Sequence, residues 1–574
     1  MAEIAAAETA TTWLPRLRRR IFRLEFLILG LAVIAVGYLA VVPLLYLLWG
    51  TFFDATGPTL RFFQEAYSEV GLLNMIGTSL IFAIGSTTIS LVVGTLLAYL
   101  NVRTDVPLRI VFFAAALVPL IIPGILYTIS WIFLLSPRIG LLNRLAEPIL
   151  GPRPWDIFSL PGMILVEGLH LSPIVFLLMV AAFRSMDPSL EESALMSGAR
   201  IPTMFRRITL PLVRPALLSA LLVMAVRGLE SFEVPALLGI PTGIWVFTSR
   251  IWRALDDFPP GFGVAGAYAF SLLAITSIGV FLHSRMGNRG RRFQTVTGKG
   301  FRPRRLELGR ARWPAAALVL VYFFLAVVLP LGILIYASTQ RFYSVPSPES
   351  IGRATLDNYG YILGLGQAQR ALWNSLVLGL GSATAVMLIM AVIAWIVVRT
   401  RVSGRWLLDS LASLPLAVPG LVMGVSLLFV YLRFPLPVYG TLLILFIAYL
   451  TRYMPYGIRY ASTSMYQIAA ELEESAQASG ASWWQSFRRI VLPLLMPGLL
   501  AGWIYIVMVS FRELSSSILL YTPGNEVLSI VIWEQWQNGQ FTQLAALGVI
   551  MVAILLSLVV IAYKLGARIG LRSA

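Results

Sequence analysis

Apolar runs separated by short polar or basic segments recur along the whole chain. Two of them, 26–53 and 376–398, hold no charged residue and exceed the ~20 residues a helix needs to cross the hydrocarbon core. The pattern predicts a first set of spans near 26–50, 75–100, 110–135, 161–183, 211–229 and 264–284. A second set is predicted near 314–337, 372–398, 406–432, 438–461, 491–511 and 541–564. The expected fold class is therefore an all-α integral membrane protein with about twelve transmembrane helices. The run "RLRRR" at 16–20 precedes a first span too long for a signal-peptide core, which predicts an uncleaved anchor.

Composition agrees with this reading: 58% of the 574 residues are hydrophobic and 12% charged, where a soluble domain carries about 25%. The net charge of +17 could suggest nucleic acid, but its placement points elsewhere. Ten Lys or Arg residues and one acid, Glu307, lie between Leu282 and Trp313. Others sit at the amino terminus, at Arg103 and Arg109, at Arg206 and Arg207, and at Lys564, Arg568 and Arg572. With both termini cytoplasmic, all fall inside, as the positive-inside rule expects. No nucleic-acid partner is expected. The absence of cysteine excludes disulfides and thiolate metal sites, and two histidines, His170 and His283, are too few for an all-histidine site.

The second set of spans repeats the first. Pro119, Pro123 and Gly124 fall on Pro415, Pro419 and Gly420 at an offset of 296, as Arg103-Thr104 falls on Arg399-Thr400. Pro173 falls on Pro455 at an offset of 282, so the first half carries 14 extra residues between its third and fourth spans. The predicted organisation is a first domain at 1–284, a basic cytoplasmic linker at 285–312 and a second domain at 313–574. Fifteen of 25 residues are identical between 191–215 and 473–497, although the flanking spans diverge. Lipid exposure alone does not explain why a polar loop should outlast its greasy neighbours.

Each copy of that loop follows the fourth span of its half. "LEESALMSGA" and "LEESAQASGA" predict a short helix with acids in its first turn, where the macrodipole favours them. A glycine then allows a sharp turn. "FRRITLPLVRP" and "FRRIVLPLLMP" follow, with a proline placed for a helix start.

The spacing Glu192, Gly198, Ile208, Leu210, Pro211, repeated as Glu474, Gly480, Ile490, Leu492, Pro493, resembles the EAA loop of type I ABC importer permeases, with Ser193 and Ser475 where the consensus has alanine. The resemblance covers essentially the whole chain as two fused, pseudo-symmetric six-helix permease domains. It implies that Glu191, Glu192, Ser193, Ala194, Gly198 and Ala199, with Glu473, Glu474, Ser475, Ala476, Gly480 and Ala481, seat on two copies of a cytoplasmic ATPase. It also implies an extracytoplasmic solute-binding protein and a bacterial inner-membrane location. Because "TGKG" at 297–300 lacks the full phosphate-loop pattern, the chain is read as a transport subunit, not an enzyme, with no bound cofactor and ATP and Mg used by the partner.

Ionisable residues in or near spans mark candidate pathways. Arg227, Glu230 and Glu233 follow the fifth span, and Arg512, Glu513 and Ser515 the eleventh. Arg227 and Glu230 could equally pair along one helix face. Glu167 and His170, with Arg452 at the position equivalent to His170, are read first as polar contacts between helices. No dense carboxylate or tyrosine cluster that would itself hold a ferric ion is apparent. The segments "ELEESA", "FRRIVLPL" and "FRELSSSILLYTPG" most resemble iron(III) importer permeases. Phosphonate, thiamine and polyamine importers are the alternatives within the class. A secondary transporter of the major facilitator type also has two repeated halves, but "NVRTDVPLR" at 101–109 lacks its glycine-aspartate-arginine signature.

Overall fold

In lipid, a spanning segment must satisfy its own backbone, and a helix does so without help. The apolar runs accordingly fold as helices in the computed structural model, which describes residues 29–68, 71–187, 189–290, 306–400, 402–433 and 437–568. The basic run at 16–20, residues 291–305 of the expected linker, and Arg572 lie outside the described residues.

The first half runs α1 (Leu29–Phe52), α2 (Leu72–Arg103), α3 (Arg109–Leu117), α4 (Gly124–Leu135), α5 (Leu160–Ser185) and α6 (Ser189–Met196). It continues through α7 (Leu210–Glu230), α8 (Phe247–Asp256) and α9 (Phe262–Gly290). The second half repeats the order. It comprises α10 (Gly309–Ser338), α11 (Gly366–Arg399), α12 (Arg405–Ser413), α13 (Gly420–Tyr431), α14 (Leu442–Gln467), α15 (Glu471–Ala478), α16 (Leu492–Phe511), α17 (Leu528–Gln537) and α18 (Phe541–Arg568). Shorter helical turns fill the connections.

Among the described residues, nine helices are long and apolar enough to cross a membrane. Two further expected spans, 110–135 and 406–432, are not straight helices. Each is a bent pair, α3 with α4 at 98° and α12 with α13 at 109°. The prolines explain the break. Pro119 and Pro123, like Pro415 and Pro419, remove backbone donors and push the preceding residue away from helical geometry. The remaining expected span is α14. Its arginines and tyrosines lower its hydropathy below that of its counterpart α5.

A broken helix at membrane depth is tolerated only inside protein, and both second limbs are enclosed. Every residue of α13 is buried, as is every residue of α4 after Gly124. The enclosing wall comes largely from the opposite half. Phe133 of α4 stacks on Tyr343 at 4.2 Å and meets Phe541 edge-on, and the Tyr343 hydroxyl donates to the Phe133 carbonyl at 2.9 Å. Phe429 of α13 lies against Phe262 and so near Gly50 that a Cβ there would stand 2.8 Å from its ring. The exposed carbonyls of the breaks are also served across the seam. Arg512 donates to the Leu120 carbonyl, and Thr276 donates to the Ala417 carbonyl at 3.3 Å. The two repeats are interlocked.

The 14 extra residues form a folded hairpin around the short helix Leu141–Leu150. Buried Asn143 donates to the carbonyls of Leu135, Ser136 and Trp155 at 2.8, 3.1 and 2.9 Å, and accepts from the Trp155 amide at 3.0 Å.

Candidate functional site

The repeated loop folds the same way twice. Glu191 and Glu192 lie in the first turn of α6, and Glu473 and Glu474 in that of α15. Each helix ends in a Schellman motif, in which a left-handed residue lets two late carbonyls find donors. Gly198 (φ +85°) donates to the Leu195 carbonyl and Ala199 to that of Ala194, both at 3.0 Å. Gly480 (φ +87°) and Ala481 do the same to Gln477 and Ala476, also at 3.0 Å. A Cβ at either glycine would meet nothing within 4 Å, so backbone conformation, not crowding, requires glycine here. The chain then re-enters through a single π turn, Phe205–Thr209 or Phe487–Val491, with Pro211 or Pro493 in the first turn of the next helix.

The two adjacent glutamates of each copy point to different places. Glu191 and Glu473 turn inward and are buried. Glu191 accepts from Arg103, at 3.0 Å to Nε, and from the Thr209 hydroxyl at 2.5 Å. Glu473 stands 3.0 Å from Arg399 Nε and accepts from Trp395 Nε1 at 3.3 Å. These are anchors that fix each loop to the end of α2 or α11. Arg103 and Arg399, absent from the candidate residues of the sequence, are the partners that hold these glutamates. Glu192 is half-buried, whereas Ser193, Glu474 and Ser475 are exposed, and Ala194, Ala199, Ala476 and Ala481 are half-buried beneath them. Apolar side chains flank this outer face, with Leu190 43%, Met196 90%, Leu472 46% and Trp484 56% exposed. A face of this kind can receive a partner protein.

The end of the interdomain linker is stitched to the first anchor. Leu306 donates to the Arg103 carbonyl at 2.9 Å and accepts from the Asp105 amide at 3.2 Å, and the Leu308 amide donates to Asp105 Oδ1 at 2.9 Å.

The second group of sequence candidates gathers at the seam between the halves. Arg227 pairs with Glu230 at 3.5 Å and also donates across the seam to the Tyr456 hydroxyl. Helix-face pairing and cross-seam contact therefore occur together. Glu513 is fully engaged. Its Oε1 accepts from the Ser516 amide and hydroxyl at 2.9 and 3.0 Å, while Oε2 takes Arg452 Nε and the Tyr453 hydroxyl, both at 3.2 Å. Arg512 reaches the opposite half, as described above. Glu233 and His170 flank Gly124, and Ser515 and Arg452 flank Gly420 at the pseudo-symmetric position. Glu167 is buried beside Glu233 and Ser231.

The seam also carries a line of tyrosines. Tyr449, Tyr453, Tyr456 and Tyr460 form one stripe of α14 and continue onto Tyr505 of α16. The spacing of four, three and four residues was legible in "YLTRYMPYGIRY".

Comparison with known proteins adds a family match, three relatives and one solved structure. The family described as "Binding-protein-dependent transport system inner membrane component" matches twice, at residues 90–292 and 387–570. The ferric transport system permease protein FbpB of Actinobacillus pleuropneumoniae is 25% identical over 527 residues, covering 88% of this chain and 75% of that protein. An Fe(3+)-transport system permease protein of Haemophilus influenzae is 25% identical over 518 residues, covering 89% and 93%. A putative 2-aminoethylphosphonate transport system permease protein of Salmonella paratyphi A is 30% identical over 260 residues, covering 45% of this chain and 94% of that one. Among solved structures, a bacterial importer of the polysaccharide alginate aligns over 46% of this chain and 97% of its own, with 20% identity and a TM-score of 0.37.

Proposed function

Because this chain belongs to the family of binding-protein-dependent transport system inner membrane components, and is thus a multi-pass transport subunit rather than an enzyme, we propose that it couples solute import to two copies of a separate cytoplasmic ATPase through α6 and α15. An extracytoplasmic solute-binding protein delivers the cargo, and both termini are cytoplasmic. The observation that carries this reading is the paired anchor. Each outward-facing loop is tied by a buried ion pair to the end of a long spanning helix, so a push on the loop moves the helix as a rigid body. Glu192, Ser193, Ala194, Gly198 and Ala199, with Glu474, Ser475, Ala476, Gly480 and Ala481, form the seating surface. Glu191 and Glu473 hold it in place.

The cargo pathway follows the seam, where Arg227, Glu230, Glu233, Arg512, Glu513 and Ser515 converge. Cross-seam hydrogen bonds from Arg227 and Arg512 break and re-form as the halves rock in alternating access. Iron(III) is the favoured cargo, since relatives matching along 88% and 89% of the chain are named for it. A phosphonate is the second reading, supported by the relative that matches one half.

Charge reversal tests the loops. In Glu192→Lys with Glu474→Lys, insertion into the membrane is expected to persist while ATPase recovery on affinity purification falls by tenfold or more. Recovery equal to that of the unmodified chain would refute the assigned role.

A further inference from the structure

The tyrosine stripe has no counterpart in the other half. At the offset of 282, Tyr453, Tyr456, Tyr460 and Tyr505 correspond to Leu171, Ile174, Leu178 and Val223. Aliphatic side chains hold these positions in the first half, so the repeated fold does not itself call for phenols. The rings form a connected ladder, with centroids 6.4 Å apart for Tyr453 and Tyr456, 5.3 Å for Tyr456 and Tyr505, and 5.9 Å for Tyr460 and Tyr505. Tyr453 is buried and spent on Glu513. Tyr456, Tyr460 and Tyr505 are only half-buried, and the Arg227 side chain beside them is 33% exposed.

The hydrogen-bond balance at this wall is lopsided. Of the carboxylates near the phenols, Glu513 holds four donors and Glu230 faces Arg227 at 3.5 Å. Donors are left over. The Tyr456 oxygen accepts from Arg227 and keeps its own proton to give. No group of three or more His, Asp or Glu side chains suited to a metal occurs among the described residues. A bare multivalent cation beside the phenols would be repelled by the Arg227 guanidinium, whereas an oxyanion would find charged and neutral donors together.

We propose that Arg227, Tyr456, Tyr460 and Tyr505 form a specificity surface that hydrogen-bonds an oxyanion group carried by the cargo. This rests on the importer reading and refines its substrate. The oxyanion has two possible sources: a free phosphonate, or the oxygen ligands of an anionic ferric chelate.

The test measures uptake by the complete transporter with its ATPase and binding protein, using labelled 2-aminoethylphosphonate and labelled ferric citrate as probes. Tyr456→Phe/Tyr460→Phe/Tyr505→Phe keeps the ring ladder and deletes three hydroxyls, and Leu178→Phe is the control on the aliphatic flank. The expected result is a tenfold or greater rise in half-saturating concentration for one probe in the triple variant and none in the control. A rise for the phosphonate identifies the free oxyanion, and a rise for ferric citrate identifies the chelate. Recovery of ATPase with the triple variant reports that it folds and that the importer reading stands. Unchanged half-saturation for both probes, or uptake of neither by the unmodified transporter despite normal ATPase recovery, overturns the proposal.

Discussion

In the first half Glu191 is enclosed by Arg103 and Thr209, and the side chains of the ion pair are each 3% exposed. In the second half, Val491 stands where Thr209 would be, Arg399 also serves the carbonyl of Ile468, and the pair is 15% and 10% exposed. The first anchor is further braced by the linker strand on the Arg103 carbonyl. One ion pair thus recurs in two settings, one closed and one yielding. What the settings share is the part needed to hold a loop on a helix; what differs sets how stiffly each half transmits a push. A buried ion pair is a weak source of net stability, but its half-removal is costly because the surviving charge is stranded. The first half should therefore be the stiffer lever and the more sensitive to damage.

The largest effect should come from Arg103→Met. It leaves Glu191 charged and buried, at a cost of about 3–5 kcal/mol, and should appear as a lower unfolding midpoint of the purified chain and loss of the ATPase. Arg399→Met should do less on both measures. An equal response of the two variants would erase the distinction between stiff and yielding anchors.

Next in size is a contrast at the seam. Gly420→Ala would drive a Cβ into Arg452 Nη1, at 1.7 Å, and against Ser515 Cβ at 2.9 Å. Gly124→Ala would make ordinary contacts at 3.5 and 3.6 Å with Glu233 and His170. Overpacking of this kind costs about 1–3 kcal/mol. Uptake should fall severalfold for Gly420→Ala and stay close to that of the unmodified transporter for Gly124→Ala.

Gly198→Ala and Gly480→Ala should resemble each other, because both glycines hold the same left-handed turn in open space. The strain is about 1–2 kcal/mol, read as faster protease cleavage at the altered loop. A difference between the two would mean that one loop is shaped by contacts beyond its own backbone. The smallest effect belongs to Thr209→Val, which makes the first anchor resemble the second. A typical hydrogen bond contributes about 0.5–1.5 kcal/mol net, and because Arg103 still holds Glu191 a shift near the lower bound is expected in the same unfolding measurement.

Much of this was readable in the chain. Spans were legible because a membrane helix needs only length and apolarity, and the loops because their glycine, acids and prolines have local causes. The bends at 98° and 109° were harder: the matching prolines were visible, but hydropathy does not distinguish a straight crossing from a folded-back one. The anchors were invisible for a different reason. Arg103 and Glu191 lie 88 residues apart, and nothing local to either announces the other, although the repeated Arg-Thr pair at the end of α2 and α11 was a hint. At the seam, the candidate charges could be picked out half by half, yet Arg227 to Tyr456 and Arg512 to Leu120 join opposite halves. No half read by itself contains those contacts.

The most direct test of the central claim is labelled-cargo uptake into proteoliposomes holding the purified chain and loaded binding protein, with and without the ATPase. The account predicts accumulation only when both ATPase and enclosed ATP are present, and none with Glu192→Lys/Glu474→Lys. Accumulation at the same rate by the chain without any ATPase would contradict it.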